Sequence, residues 1–134
     1  MSKFLGAFRV LLVLWAGSLW SMALIVAPTL FHAQHDRELA GMLAGRLFTI
    51  EAYLGIATAA IALLLPARAK FRCGYAAAAL LAILQWVIGP RLIEAHVRGL
   101  AWGLGFGAWH GIAALLYGGA CAALLLLIWN DDFR

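Results

Sequence analysis

The sequence predicts an all-α, integral membrane protein: an antiparallel four-helix bundle with short interfacial helical segments on its outer side. Of 134 residues, 66% are hydrophobic and only 12% are charged, against about a quarter charged in a soluble domain. Mean hydropathy is +0.95. The charges fall in clusters between apolar runs long enough to cross a bilayer, which takes ~20 mostly apolar residues. Lipid offers the backbone no hydrogen-bond partners, so continuous runs of this length must be helices. They fill the chain, and residues 1–134 read as a single transmembrane domain.

The first span, about 10–31, holds no charge. Lys3 and Arg9 precede it as in a signal peptide, but it is long for one and no A-x-A-like cleavage pattern follows, so a retained span is expected. Ser18 and Ser21 within it can return their hydroxyls to their own helix. The connection HAQHDRELAGMLAGR (32–46) sets Ala40, Gly41, Ala44 and Gly45 at helical spacing, which predicts a short helix that leads into the second span and packs tightly on a neighbour. The second span, about 47–65, carries Glu51 and ends at Pro66. A short loop, PARAKFRC, closes a hairpin to the third span, about 73–89, where Gln85 can bond across helices. Pro90 marks a kink or an end. RLIEAHVR (91–98) then extends the helix or lies in the interface, with Glu94 and Arg98 as an exposed pair.

The fourth span, about 101–129, sits in a run that is too long. As one helix, Leu100 to Trp129 would reach ~45 Å, so it must tilt, bend or project. It opens with GLAWGLGFGAWHG, in which Gly99, Gly103, Gly107 and Gly111 recur at spacing four. A phosphate-gripping loop would need a preceding strand, and none is predicted. The spacing favours a smooth helical ridge for close packing of membrane helices, with His110 beside the seam as an interhelical hydrogen-bonder. No linker and no convincing internal repeat is legible.

The formal charge of +4 serves topology rather than nucleic acid. A cytoplasmic N-terminus puts Lys3, Arg9, Arg68, Lys70, Arg72 and Arg134 inside, and Arg37, Arg46, Arg91 and Arg98 outside. That bias predicts a multi-pass protein of a bacterial-type inner (plasma) membrane with both termini cytoplasmic. Cys73 and Cys121 then face a reducing compartment, where small apolar packing is the expectation; a soft-metal pair is the alternative. Trp109 and Trp129 fit an interfacial belt, while Trp15 and Trp20 lie deeper.

With this orientation every histidine falls at the outer face. His32, His35, His96 and His110 are candidate metal or haem ligands, so haem or a transition metal is the cofactor class in question. Singly, each also fits an interfacial anchor, and no strong zinc spacing is present. Glu51 differs because it lies inside a span, where a carboxylate must face the bundle, pair with a cation or take a proton. Arg91 and His110 are its expected partners, with Arg46 and His35 completing the candidate binding set. GxSxG, HExxH and Walker motifs are absent from the sequence.

Several blocks carry a resemblance. LWAGSLWSMALIVAPTLF (14–31), AGMLAGRLF (40–48), RLIEA (91–95) and GAWHGIAALLY (107–117) resemble the transmembrane protein 205-like family. The matching positions are Trp15, Gly17, Pro28, Phe31, Gly41, Gly45, Phe48, Arg91 and His110. The resemblance implies a small four-helix membrane protein, and the platinum-drug resistance associated with the family's vertebrate member implies handling of metal complexes or vesicle export. APTLFHAQH (27–35) is similar to the Pro-x-Leu-Phe-x-x-His block of HemJ-type protoporphyrinogen oxidases and to CopD-like copper proteins. Its histidines are displaced from that pattern, His32 falling early and His35 late.

Three functions compete. The first is a non-enzymatic protein that binds or moves a small cationic or metal-containing solute through an outer-face His/Glu/Arg cluster. The second is a haem-binding oxidoreductase using His35 and His110. The third is an assembly subunit that packs through glycine-rich faces, within a homo-oligomer or larger membrane complex. The lipid bilayer is a partner in each.

Overall fold

The structure of the protein, a computed structural model, describes residues 2–66 and 68–130. Met1, Ala67 and residues 131–134 lie outside the described residues, and with them Arg134 and part of the basic loop used for topology. Helix α1 (Ser2–Ser21) continues through a π turn (Met22–Val26) into α2 (Ala27–Ala33). Helix α3 spans Arg37–Leu63. A 3₁₀ turn at Arg68–Phe71 leads to α4 (Arg72–Ile83), a second π turn (Leu84–Ile88) and α5 (Gly89–Arg98). Strands β1 (Leu100–Ala101) and β2 (Leu104–Gly105) precede α6 (Phe106–Trp129).

Four helical runs are thus long and apolar enough to cross a membrane: Lys3–Ala33, Arg37–Leu63, Arg68–Arg98 and Phe106–Trp129. They form an all-α four-helix bundle. Helices α1 and α4 each pack on both α3 and α6, which closes a ring around a core containing Trp15, Leu19, Leu81, Leu124 and Leu127. Leu14, Ile25, Leu115 and Leu125 point outward, as a lipid-facing surface requires.

Local chemistry sets the helix ends. Asp36 caps α3 by accepting from the amides of Glu38 (3.0 Å) and Leu39 (3.2 Å), worth about 1 kcal/mol. That cap starts the helix at Arg37, and the short helix expected to lead into the second span runs into it without a break, as the first part of α3. Within it Ala40 and Ala44 are buried, while their neighbours Gly41 and Gly45 are exposed. Pro28 and Pro90 each follow a π turn by one residue. Proline lacks an N–H and clashes with the carbonyl four residues back; the wider π turn makes room, so both helices run through their prolines.

The glycine segment is not a helical ridge. Gly99 ends α5 with φ +87, its amide donating to Ala95 O at 2.9 Å. Trp102 (φ 50) and Gly103 (φ 78) then form the turn between paired β1 and β2. Positive φ at both central residues is the two-residue hairpin geometry that matches strand twist. Folding those residues into a hairpin shortens the last span to α6, which removes its excess length.

The expected packing set of Gly41, Gly45, Gly99, Gly103, Gly107 and Gly111 is therefore corrected within the chain: a Cβ at any of them meets nothing within 4 Å. Close approach occurs elsewhere. A Cβ on Gly55 would lie 2.8 Å from Trp15 Cζ2, and one on Gly119 3.3 Å from Leu80 Cδ1. One on Gly74 would overlap the Phe71 ring.

Candidate functional site

Glu51 sits midway along α3 and is 7% exposed. Its hydrogen-bond partner is Ser18, midway along the first helical run, whose Oγ lies 3.1 Å from Glu51 Oε2. The same Oγ lies 2.8 Å from Trp15 O. A serine hydroxyl has one proton, so it cannot donate to both at once. Turned to Glu51 it stabilises the carboxylate; turned to Trp15 O it offers a lone pair to the protonated acid. Ser18 can therefore serve either protonation state without moving its backbone.

Helix α6 supplies the opposite wall. Tyr117, midway along it, donates its hydroxyl to Leu19 O at 2.6 Å and meets Phe48 edge-to-face at 5.1 Å between ring centroids. Cys121 follows one turn later on the same face, and both side chains lie within electrostatic reach of the Glu51 carboxyl. Trp15 is 2% exposed, its ring edge crosses Gly55 one turn beyond Glu51, and its Nε1–H has no partner among the described residues. A carboxyl, two hydroxyls, a thiol and an unpartnered indole N–H thus sit together at mid-bundle. Beside them, Gln85 Nε2 donates to Thr49 Oγ1 at 2.7 Å, tying the third span to α3 as the position of Gln85 led us to expect.

The other sequence-derived candidates do not join this cluster. Arg91 pairs with Glu94 at 2.7 Å, the one ion pair among the described residues, and its guanidinium lies over the Trp102 ring at 4.1 Å. That contact, with Trp102–Trp109 at 6.2 Å, holds Trp102 in its unusual backbone conformation. The expected Glu94–Arg98 pair is replaced by Arg91–Glu94, because Arg91 is fixed by the hairpin and Arg98 ends the helix. Trp109, an interfacial-belt candidate in the sequence, is buried and donates to Ala101 O at 2.9 Å, pinning β1 to α6.

The histidines share one end of the bundle without converging. His110 is exposed and stacks on Phe106 at 5.9 Å, and His96 meets the same ring at 5.6 Å. His32 and His35 are exposed around the end of α2, and Arg46 is exposed on α3. Among the described residues no group of three or more His, Cys, Asp or Glu could hold a metal ion. An outer-face cluster of Glu51, Arg91 and His110 is thereby corrected: Glu51 bonds to Ser18, deeper in the bundle, and Arg91 is engaged by Glu94. Sequence reasoning satisfied Ser18 within its own helix, left Trp15 as a deep tryptophan and passed over Tyr117. Polar atoms near the centres of two charge-free stretches, Trp15 and Ser18 in the first span and Tyr117 in the fourth, were the available signal.

A family described as a domain of unknown function, DUF4149, matches residues 10–101. The chain belongs to the DUF4149 family. The matched stretch contains Trp15, Ser18, Glu51 and Arg91 and ends within the hairpin, so Tyr117 and Cys121 of this DUF4149 chain lie beyond it. No curated protein and no solved structure matches the chain.

Proposed function

We propose that this DUF4149 protein is a non-enzymatic, multi-pass membrane protein that binds and exchanges a singly charged cation, the proton included, at Glu51. The observation that carries the reading is a carboxyl buried at mid-bundle with no basic partner among the described residues. Ionisable groups inside membrane bundles are costly and mark ion or proton pathways. One carboxylate with hydroxyl neighbours suits a single positive charge, whereas divalent cations take several oxygen ligands.

The bias of basic residues supports a bacterial-type inner membrane and cytoplasmic termini. The resemblance of those sequence blocks to the transmembrane protein 205-like family supports membrane handling of a cationic or metal-containing solute. A haem site of HemJ type would call on His35 and His110, both on exposed surfaces, and no observation favours it.

Reconstitution into vesicles with an entrapped pH-sensitive dye tests the proposal. Imposed Na⁺ or K⁺ gradients should move protons through wild-type protein and not through Glu51→Gln, with Ser18→Ala intermediate. Equal rates for wild type and Glu51→Gln would end it.

A further inference from the structure

Although no repeat is legible in the residue identities, two turns of the structure match each other. The π turns Met22–Val26 and Leu84–Ile88 are each five residues long, and each is followed by one small residue and then proline. Setting the two turns in register residue for residue pairs buried positions of the preceding helices: Trp15, Ala16 and Leu19 correspond to Ala77, Ala78 and Leu81, all buried. The following helices correspond as well. Aligning the start of α3 at Arg37 with the start of α6 at Phe106 matches buried Glu51, Gly55 and Thr58 to buried Ala120, Leu124 and Leu127. The offset between the two alignments is the length of segment 99–105, which holds the hairpin.

Each half is therefore a kinked helix followed by a straight one, and the ring of contacts places them head to tail around the bundle. Phe48 and Tyr117 correspond under this alignment, and they touch each other at 5.1 Å. A residue can meet its own equivalent only near the axis that relates the halves. Glu51 lies one turn from Phe48 on α3, so the polar cluster sits at the interface of the halves and near that axis. The halves differ where it matters: Trp15, Ser18 and Glu51 in the first correspond to Ala77, Leu80 and Ala120 in the second. The smaller second-half residues, Ala77 and Ala120, free interior space for a single polar site.

We infer that the chain is two copies of one two-helix unit, and that the paired π-and-proline turns are hinges on which the halves move to admit a cation to Glu51. Matched proline-interrupted segments in two halves point to a site at the repeat interface in membrane carriers, and π turns and prolines are where helices bend. The cation part rests on the reading of Glu51 above; the paired hinges do not.

Hydrogen exchange of the full chain in lipid nanodiscs, read by mass spectrometry, tests the hinges. Peptides covering residues 22–28 and 84–90 should both exchange at least tenfold faster than mid-helix peptides of α3 and α6. Pro28→Ala should slow exchange at both segments, including the distant one, and Pro90→Ala should do the reverse. Slowing confined to the substituted helix, or exchange at the π turns no faster than at mid-helix, would overturn the inference. Adding 100 mM NaCl or KCl should slow both segments in wild type and neither in Glu51→Gln. Coupled hinges that ignore the salt in wild type would retain the repeat and discard Glu51 as the site they serve.

Discussion

Replacing glycines one at a time separates the packing seen in the structure from the packing that sequence spacing favours. In Gly55→Ala the new Cβ would lie 2.8 Å from Trp15 Cζ2. Carbon pairs settle at ~3.5–4.0 Å, so the ring must retreat by ~0.7 Å or more. Trp15 is 2% exposed and wedged in the core, so it has nowhere to go without displacing neighbours. Overpacking of this kind costs roughly 1–3 kcal/mol. In Gly107→Ala the Cβ meets nothing within 4 Å, and alanine gains roughly 0.5–1 kcal/mol over glycine inside a helix. The variants should therefore differ by roughly 1.5–4 kcal/mol, a ten- to several-hundred-fold difference in folding equilibrium. Reversible unfolding in mixed micelles titrated with SDS, followed by circular dichroism, measures it. A Gly107→Ala protein as unstable as Gly55→Ala would refute the placement of the close contact.

Tyr117→Phe removes the hydroxyl bonded to Leu19 O and should lower stability by ~0.6–1.7 kcal/mol in the same titration, the range of interhelical bonds in membranes. Trp109→Phe removes the Nε1–H that holds Ala101 O; a loss of about 1 kcal/mol should appear first as faster hydrogen exchange at residues 100–105. Gly103→Ala places a Cβ at φ +78 and should cost about 1 kcal/mol, whereas alanine at Gly105, with φ −75, should be tolerated. Glu51→Leu should leave the protein at least as stable as wild type, because among the described residues the lost carboxyl has one weak partner and no counter-charge. Marked destabilisation would show that the carboxyl is structural.

The fold was legible because lipid reduces the choice of structure: long apolar runs admit little but helices, and Pro66 and the ARAKFR loop marked one connection. The hairpin escaped because its glycines also fit a helical period. What decides there is the positive φ at Gly99, Trp102 and Gly103, stabilised by Arg91 stacking from another element. Glu51 stood out as a carboxyl within a span, but its partner did not. Ser18 satisfies its own helix as easily as it reaches across, and only packing of α1 on α3 decides between them. Arg91 and Glu94, three residues apart, fit helical spacing as well as the expected Glu94–Arg98 pair at four, and only the hairpin that holds Arg91 decides between them. The repeat stayed hidden because its halves share burial and bend positions rather than residue types.

The central claim is that Glu51 is an exchangeable carboxyl inside the bundle. Treating the full protein in nanodiscs with a hydrophobic carbodiimide, which adds to protonated carboxyls in apolar surroundings, tests it by intact mass and peptide mapping. The expected result is one adduct on Glu51, absent from Glu51→Gln and suppressed as Na⁺ or K⁺ rises. Labelling confined to the exposed acid Glu38, or Glu51 labelling indifferent to both cations and pH, would contradict it.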